Sequence, residues 1–358
     1  MNRHLDTVQI KMCGKRWSEI DFTKVTSLTM MKQNKAFLNK TKKGEVRHPH
    51  SYDRKQCALN LTKHINMSKN GNNKINAKRC NVYELVKMAI NEANDPTAVD
   101  LINEMWKDNS NNNSNMGNVI AVVDTSSSMC VDDCIPLYNA IGLGIRVSEK
   151  SSPEFRNSFI TFESEPHWVT FSPYASFVNK VWQTKNASWG GSTNFVATTR
   201  LILEVAIKNK IPPEEMEDMV LAIFSDMQIN QSYLTTHRSQ ITNELPMYDE
   251  IKKMYNDAGY KPPHILFWNL RKTSGFPTIS SNENVTMLSG YSSVLLDVFC
   301  NKGIEELKKY TPFSALVDLL EDERYEIMGN DVEVHFPGAI GLGFRAGGSL
   351  GKMEGNPK

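Results

Sequence analysis

Two carboxylates and three hydroxyl groups occupy positions in the sequence that could bind a metal ion together. Asp124 ends the apolar run VIAVVD, and Ser126 and Ser128 follow it at alternate positions. Thr193 lies in a second segment, WGGSTNF, and Asp226 ends another apolar run, AIFSD. Carboxylate and hydroxyl oxygens are hard ligands that suit Mg²⁺ or another hard divalent ion such as Mn²⁺ or Ca²⁺. We therefore expect a site for such an ion, built without imidazole or thiolate ligands.

Short apolar segments must position these side chains, and their composition predicts the strands of a sheet. The segments are 118–124, 158–162, 167–171, 219–226, 264–270 and 285–290. Four of them are almost wholly apolar, which is typical of parallel strands that helices cover on both faces. The second and third segments are joined by a short turn and predict a hairpin with one antiparallel edge strand. The sequence therefore predicts an α/β fold with a doubly wound, mostly parallel sheet, in which ligands bind beyond the carboxyl ends of the strands.

The residues before these strands predict a small helical part. Apolar residues recur at helical spacing in 82–93 and 96–106, whereas 40–80 is rich in Lys, Asn and His and predicts a loop or weakly ordered chain. Asn and Ser residues near position 110 predict a linker. We therefore divide the chain into a basic, mainly helical N-terminal segment (1–108), the linker (109–117), the sheet domain (118–330) and a flexible Gly-rich tail (331–358).

The order of the site residues, a DxSxS motif followed by a later Thr and a later Asp, resembles the metal-ion-dependent adhesion site of von Willebrand factor A (vWA) domains. Surrounding segments, among them FITFESEP, FSDMQI and YDEIKKMYNDAGYKPPHILFWNLR, are similar to those of an uncharacterised family, domain of unknown function 2828, found in plants, fungi and large DNA viruses. The A domain of that family is akin to the one in Ro-type (TROVE) ribonucleoproteins. The resemblance runs from about Trp17 to about Tyr325, and Ser127 stands where such domains usually have Gly.

The resemblance implies a role for each site residue. Ser126 and Ser128 would ligate the ion directly. Thr193, Asp124 and Asp226 would do so directly or through an intervening water. An open coordination position would accept a carboxylate from a partner protein, so the resemblance implies a non-enzymatic interaction protein that binds an acidic partner through Mg²⁺. The residues alone leave a second interpretation open, in which these Asp and Ser side chains only cap the next helix and satisfy loop amides.

Charge is distributed unevenly along the chain, although the net charge is only +1. Residues 1–80 hold 18 Lys and Arg against 5 Asp and Glu, so the other 278 residues carry 23 basic and 35 acidic groups. A basic segment of this density could bind phosphate backbones. RNA binding by the N-terminal segment, with the vWA-like domain as scaffold, is therefore the second hypothesis. The same basic residues could instead dock on acidic groups of their own chain.

Composition and motifs favour neither an enzyme nor a membrane protein. The sequence has no GxSxG elbow, phosphate-binding loop or HExxH pattern, and none of its eight histidines lies in a recognisable general-base position. No apolar stretch approaches the roughly 18 residues of a membrane helix, and the first residues lack the apolar core of a signal peptide. We expect a cytoplasmic protein without enzymatic activity. Heavy use of Asn, Lys and Ile is compatible with a large DNA virus, in which case the location would be the host cytoplasm or the virion.

Six cysteines in 358 residues are too few to predict a disulfide framework. We expect all six to be reduced thiols, including Cys130 and Cys134 beside the candidate site. A zinc alternative fits no common ligand spacing and rests on four neighbouring residues, His48, His50, Cys57 and His64.

Overall fold

A six-stranded sheet organises the part of the chain that the computed structural model describes, which comprises residues 6–110, 116–187, 194–227, 247–271, 285–291 and 299. Its strands are β1 (Val119–Val123), β2 (Ser158–Thr161), β3 (Trp168–Thr170), β4 (Val220–Ser225), β5 (His264–Asn269) and β6 (Val285–Ser289). Their spatial order is β3-β2-β1-β4-β5-β6, with β3 antiparallel to β2 and all other neighbours parallel. The structure thereby confirms the predicted α/β fold and its antiparallel edge strand.

Helices cover both faces of this sheet. In chain order they are α1 (Val8–Cys13), α2 (Ser27–Phe37), α3 (Tyr52–Lys69), α4 (Val82–Asn91), α5 (Pro96–Ser110), α6 (Ile135–Lys150), α7 (Phe177–Lys185), α8 (Phe195–Asn209), α9 (Pro213–Glu217) and α10 (Met247–Asp257). On one face, Val122 shares an apolar cluster with Ile202 of α8 and Ile251 of α10. On the other face, Val123 lies against Gly144 of α6. Since alternate side chains of a strand point to opposite faces, β1 is buried along its whole length, which explains its continuous apolar sequence.

The strand order sets the place where a ligand would bind. The chain runs from β1 to β2 on one side, whereas β4 pairs with the opposite edge of β1 and leads on to β5. The two halves of the sheet therefore diverge between β1 and β4. In open parallel sheets such a switch point leaves a crevice beyond the carboxyl ends of the strands, and ligands bind there.

The helices before β1 pack directly on the sheet domain. Helix α6 carries Gly142 where α4 crosses it, and a Cβ atom at this position would lie 2.1 Å from Cγ1 of Val82. Trp106 of α5 donates a hydrogen bond to Glu149 of α6 at 2.9 Å. All described residues fall within one compact unit, Met1–Gly303. Helix α5 extends to Ser110, two residues into the predicted linker, while residues 111–115 and the predicted tail 331–358 lie outside the described ranges. The division of the chain at the linker stays a prediction.

The prediction of a loop over 40–80 is wrong for helix α3, which spans 18 residues. Ser51 begins this helix by accepting a hydrogen bond from the Arg54 N–H at 3.4 Å, as a capping serine does. The buried side chains of α3 are Arg54, Cys57, Leu61, His64, Ile65 and Ser68. They recur at helical spacing, but half of them are polar, so a pattern based on apolar residues does not reveal the helix.

Part of the basic charge of the first 80 residues is neutralised inside the chain. Three lysines of this segment form ion pairs with acidic residues that follow α4. The pairs are Lys35 with Glu92 at 3.4 Å, Lys40 with Asp95, and Lys69 with Asp100 at 2.9 Å. These contacts support docking of some basic residues on their own chain. Within the described ranges, no helix has the length and apolar character needed to cross a bilayer.

Candidate metal-binding site

Asp124 and Asp226 follow neighbouring strands at the carboxyl edge of the sheet. Strand β1 ends at Val123, which pairs with Phe224 of β4. The Asp124 N–H extends this pairing by donating to the carbonyl oxygen of Phe224 at 3.1 Å, and Asp226 comes directly after β4. The two carboxylates therefore lie at the switch point between β1 and β4.

Asp124 is a buried carboxylate with 4% of its surface exposed. Its Oδ1 accepts a hydrogen bond from the Ser126 N–H at 2.9 Å, and its Oδ2 accepts one from the Ser225 hydroxyl at 2.5 Å. Burial raises the pKa of Asp124, the bonds from Ser225 and Ser126 oppose this rise, and the negative charge of Asp226 adds to it. Negative charge is thus concentrated where water solvates it poorly, and a bound cation would stabilise it.

Ser126 and Ser128 direct their hydroxyl groups to the same place, since their Oγ atoms lie 2.9 Å apart. A short 3₁₀ turn follows Ser126, closed by a hydrogen bond from the Met129 N–H to the Ser126 carbonyl at 3.0 Å. The side chain of Met129 is fully buried and anchors the turn. Ser127 is exposed and has no left-handed φ, so this turn accommodates a side chain where vWA domains usually have Gly.

Asp226 is fully buried and lies beside a cation. Arg271 donates from Nη1 to Oδ2 of Asp226 at 3.3 Å, and its own N–H donates to Oδ1 of Asn269 at 2.9 Å. The sequence analysis missed Arg271 and also Ser225, which bonds to the other carboxylate of the site. A signal existed for both, because each is a polar residue at the carboxyl end of an apolar strand.

Thr193 lies outside the described residues, as does the whole of 188–193. The described chain resumes at Asn194, whose N–H donates to the carbonyl oxygen of Glu163 at 3.0 Å. The Asn194 side chain begins α8 by accepting a hydrogen bond from the Ala197 N–H at 3.0 Å. Because Glu163 follows β2, the parallel neighbour of β1, Asn194 is held at the same edge of the sheet as the two carboxylates.

The described donors fit a hard cation rather than a soft one. Asp124, Ser126, Ser128 and Asp226 offer oxygen atoms only, and two carboxylates with hydroxyls match the ligand preference of Mg²⁺, which keeps water in its other positions. Across the described ranges, no three His, Cys, Asp or Glu side chains come together as a group that could hold a metal ion. The zinc alternative therefore has no support in this part of the chain.

Cys130 and Cys134 form a disulfide between the loop that carries Ser126 and Ser128 (the serine loop) and the start of α6. Their Cα atoms lie 4.0 Å apart. The prediction that all six cysteines are reduced is wrong for this pair. Three consecutive residues, Asp132, Asp133 and Cys134, have left-handed φ angles of 48°, 58° and 59°. This backbone turns the chain back on itself, which spacing in the sequence alone does not predict.

Comparisons with known proteins connect the chain to relatives without assigned roles. The profile of a family described as a domain of unknown function, DUF7788, matches residues 118–330, a range that contains all six strands and the four described donors. The resemblance to family 2828 stays a prediction.

An uncharacterised protein of Acanthamoeba polyphaga mimivirus is 31% identical over 323 residues, which cover 90% of this chain and 53% of that protein. The chain thus spans about half the length of this curated relative. Among solved structures, the crystal structure of the Deinococcus radiodurans RO (RSR) protein is similar with a TM-score of 0.40 and 11% identity, over 84% of this chain and 64% of that one.

Proposed function

The chain belongs to the DUF7788 family of domains of unknown function, and we propose that it is a non-enzymatic interaction protein that binds an acidic partner through a divalent cation. The cation is Mg²⁺, or another hard ion such as Mn²⁺ or Ca²⁺, held between the carboxyl ends of β1 and β4 as in the adhesion site of a vWA domain. One observation carries the proposal. The hydroxyls of Ser126 and Ser128 lie 2.9 Å apart, in the loop that the buried carboxylate of Asp124 holds through the Ser126 N–H, and the buried Asp226 directly follows the neighbouring strand β4.

Each residue of the proposed site has its own role in binding the ion. Ser126 and Ser128 would ligate it directly, and Thr193 would do so directly or through water. Asp124 orients the serine loop through its bond to the Ser126 N–H, and together with Asp226 it supplies the negative charge that balances the cation. When bound, the cation would supply an exchangeable coordination position for a carboxylate of the partner protein.

Binding is favoured over catalysis because the site offers no recognisable general base or nucleophile motif. A metal-dependent hydrolase remains the competing class, and it predicts turnover that Asp226→Ala abolishes. Screens with phosphate esters, nucleic acids and peptides in Mg²⁺ distinguish the two classes. We expect no turnover. The proposed location is the cytoplasm, or the host cytoplasm or virion if the chain is viral, as its mimivirus relative suggests.

Titration of the full chain with Mg²⁺ and Mn²⁺ tests the proposed site directly. We expect one saturable site in isothermal titration calorimetry, and we expect Asp124→Asn to abolish it. Asp132→Asn is the matched control, since it removes the same charge from an exposed position of the neighbouring turn. Lysate proteins that bind the immobilised chain in Mg²⁺ and elute with chelator are the expected partners. Absence of saturable binding, or equal effects of both substitutions, contradicts the proposal.

RNA binding through the N-terminal segment is a second candidate function, favoured by the excess of 18 basic over 5 acidic residues in 1–80. Binding to phosphate backbones weakens steeply with salt, by a log–log slope of about −0.7 for each phosphate neutralised on a single strand. It also survives chelation of the metal. Capture of RNA that persists in chelator and falls with salt would favour this function over the cation-mediated one.

A further inference from the structure

A cavity of about 640 Å³ lies in the N-terminal segment, between α2, the loop 38–48 and α4. Its volume falls in the range of about 300–1,000 Å³ that is usual for small-molecule sites. None of the four described residues of the candidate metal site lines it. Its wall carries two acidic side chains, Glu84 and Glu92, and a larger basic set, Lys32, Lys35, Lys40, Lys42, Arg47 and Lys87.

Half of this basic set has no acidic partner. Three members form ion pairs: Lys35 with Glu92 at 3.4 Å, Lys40 with Asp95, and Lys87 with Asp133 at 3.9 Å. Among the residues that the structure describes, no salt bridge ties a carboxylate to Lys32, Lys42 or Arg47. Burial lowers the pKa of Arg54, and the charge of Arg47 lowers it further. The cavity wall therefore carries more positive than negative charge.

The loop that carries two of the unpaired side chains is fixed in shape. Asn39 is buried, and its backbone carbonyl accepts a hydrogen bond from the Arg47 N–H at 2.7 Å. Its side-chain Oδ1 accepts another from the His48 N–H at 3.1 Å. Across the loop, the Thr41 N–H donates to the carbonyl oxygen of Glu45 at 2.8 Å. Because these bonds fix the backbone of the loop, binding need not order that backbone.

We propose that this cavity binds a small organic phosphate. Lys32, Lys42 and Arg47 contact the phosphate group, where charge-assisted hydrogen bonds from ammonium and guanidinium groups are strong. The planar guanidinium of Arg47 suits two phosphate oxygens at once, and the two ammonium groups act as point charges. The site is separate from the proposed cation site and works without a metal ion.

The other lining residues indicate a small molecule rather than a nucleic-acid strand. Met31, Ala36 and Met88 supply apolar surface for a carbon skeleton. Asn34 is 4% exposed, donates from Nδ2 to the Met31 carbonyl at 2.7 Å, and has no described partner for its buried Oδ1. This oxygen is an acceptor in the cavity wall that no described donor satisfies. Single strands are usually held by stacking of bases on aromatic rings, and no aromatic side chain lines this cavity.

Calorimetric titration of the full chain with phenyl phosphate and with pyrophosphate tests the proposal. Chelator is present throughout, so that a metal ion at the β1–β4 site cannot hold the phosphate. The test variant is Lys42→Glu with Arg47→Glu, two exposed positions at which substitution leaves the fold intact. The matched control is Lys55→Glu with Lys63→Glu, which makes the same charge change on exposed positions of α3. Circular dichroism verifies that both variants are folded.

We expect phenyl phosphate to bind the unmodified chain and the control, and the test variant to bind it at least about ten-fold more weakly. The control should change little, because neither Lys55 nor Lys63 lines the cavity. Equal weakening in both variants overturns the proposal, as does the absence of phosphate binding. Binding of a single-stranded oligonucleotide without binding of phenyl phosphate also overturns it, and would assign the basic surface to nucleic acid.

Discussion

Arg271 lies against Asp226, with its Nη1 atom 3.3 Å from the carboxylate Oδ2. The side chain of Asp226 is 1% exposed and that of Arg271 is 30% exposed. The guanidinium therefore neutralises, from within the chain, a carboxylate that the proposed cation site would use. Since charges of the same sign repel strongly at a poorly solvated site, Arg271 and a divalent ion at the proposed site would compete for Asp226.

Arg271→Ala should separate the competition of Arg271 with a bound cation from its neutralisation of the buried Asp226 carboxylate. Without the guanidinium, Mg²⁺ should bind about ten-fold more tightly. In chelator, the free energy of unfolding should fall by about 1–3 kcal/mol, because a buried carboxylate loses a charged partner. Calorimetry gives the first quantity and urea denaturation the second. Arg271→Lys is the control that keeps the charge. It should change the Mg²⁺ affinity and the free energy of unfolding less than Arg271→Ala does. If Arg271→Ala leaves Mg²⁺ affinity as it was, competition at Asp226 does not occur.

The serine loop allows a matched comparison of three adjacent hydroxyl residues. We expect Ser126→Ala and Ser128→Ala each to weaken binding of Mn²⁺ by about ten-fold or more, since each removes a ligand. Ser127→Ala, between them, should have no effect, because that side chain is exposed. Calorimetry measures the affinity, and urea denaturation in chelator verifies that stability changes by less than about 1 kcal/mol. If Ser127→Ala loses as much affinity as the other two variants, Mn²⁺ binding depends on the loop as a whole and not on the Ser126 and Ser128 hydroxyls.

Close packing of α4 on α6 depends on Gly142. A Cβ atom there would lie 2.1 Å from Cγ1 of Val82 and 3.1 Å from Cγ2 of Val86. Gly142→Ala should therefore lower the free energy of unfolding by about 1–3 kcal/mol through overpacking, despite the better helix propensity of Ala. Adding Val82→Ala should recover part of this loss, because it removes the nearer methyl group. Urea denaturation of the single and double variants measures the coupling, and additive losses would contradict the predicted clash.

Continuous apolar sequence explains why the sheet could be predicted. Strands such as β1 and β4 are buried on both faces, so all their residues are apolar except Ser225 at the end of β4, and the pattern is visible without a structure. The site residues that end those strands, Asp124 and Asp226, were identifiable because an acidic residue interrupts an apolar run at each place.

The missed features depend on tertiary contacts. Helix α3 buries Arg54, whose guanidinium lies over the ring of Trp17 at 3.5 Å, and such a position reads as solvent-exposed in a hydrophobicity pattern. Arg271, which contacts Asp226, follows β5. That strand contributes no residue to the DxSxS pattern. The Cys130–Cys134 bond closes a turn with three left-handed residues in a row, and no spacing rule predicts them.

Cys57 and Cys80 should make stability fall at alkaline pH. They are 0% and 1% exposed, and burial raises the pKa of each thiol from 9.0 to about 12. The folded chain therefore keeps thiol protons that the unfolded chain releases. Their contribution to stability is complete below pH 9 and is lost as the pH rises from 9 towards about 12.

Other groups also titrate in this range of pH. The informative quantity is therefore the difference in the free energy of unfolding between the unmodified chain and Cys80→Ala. Urea denaturation at several values between about pH 8 and pH 11 gives this difference. We expect it to shrink steadily above pH 9, because only the unmodified chain carries this thiol. Cys13→Ala, at an exposed position, is the control and should follow the unmodified chain at every pH. A difference between Cys80→Ala and the unmodified chain that stays constant across the series would show that the Cys80 thiol is not shielded from ionisation.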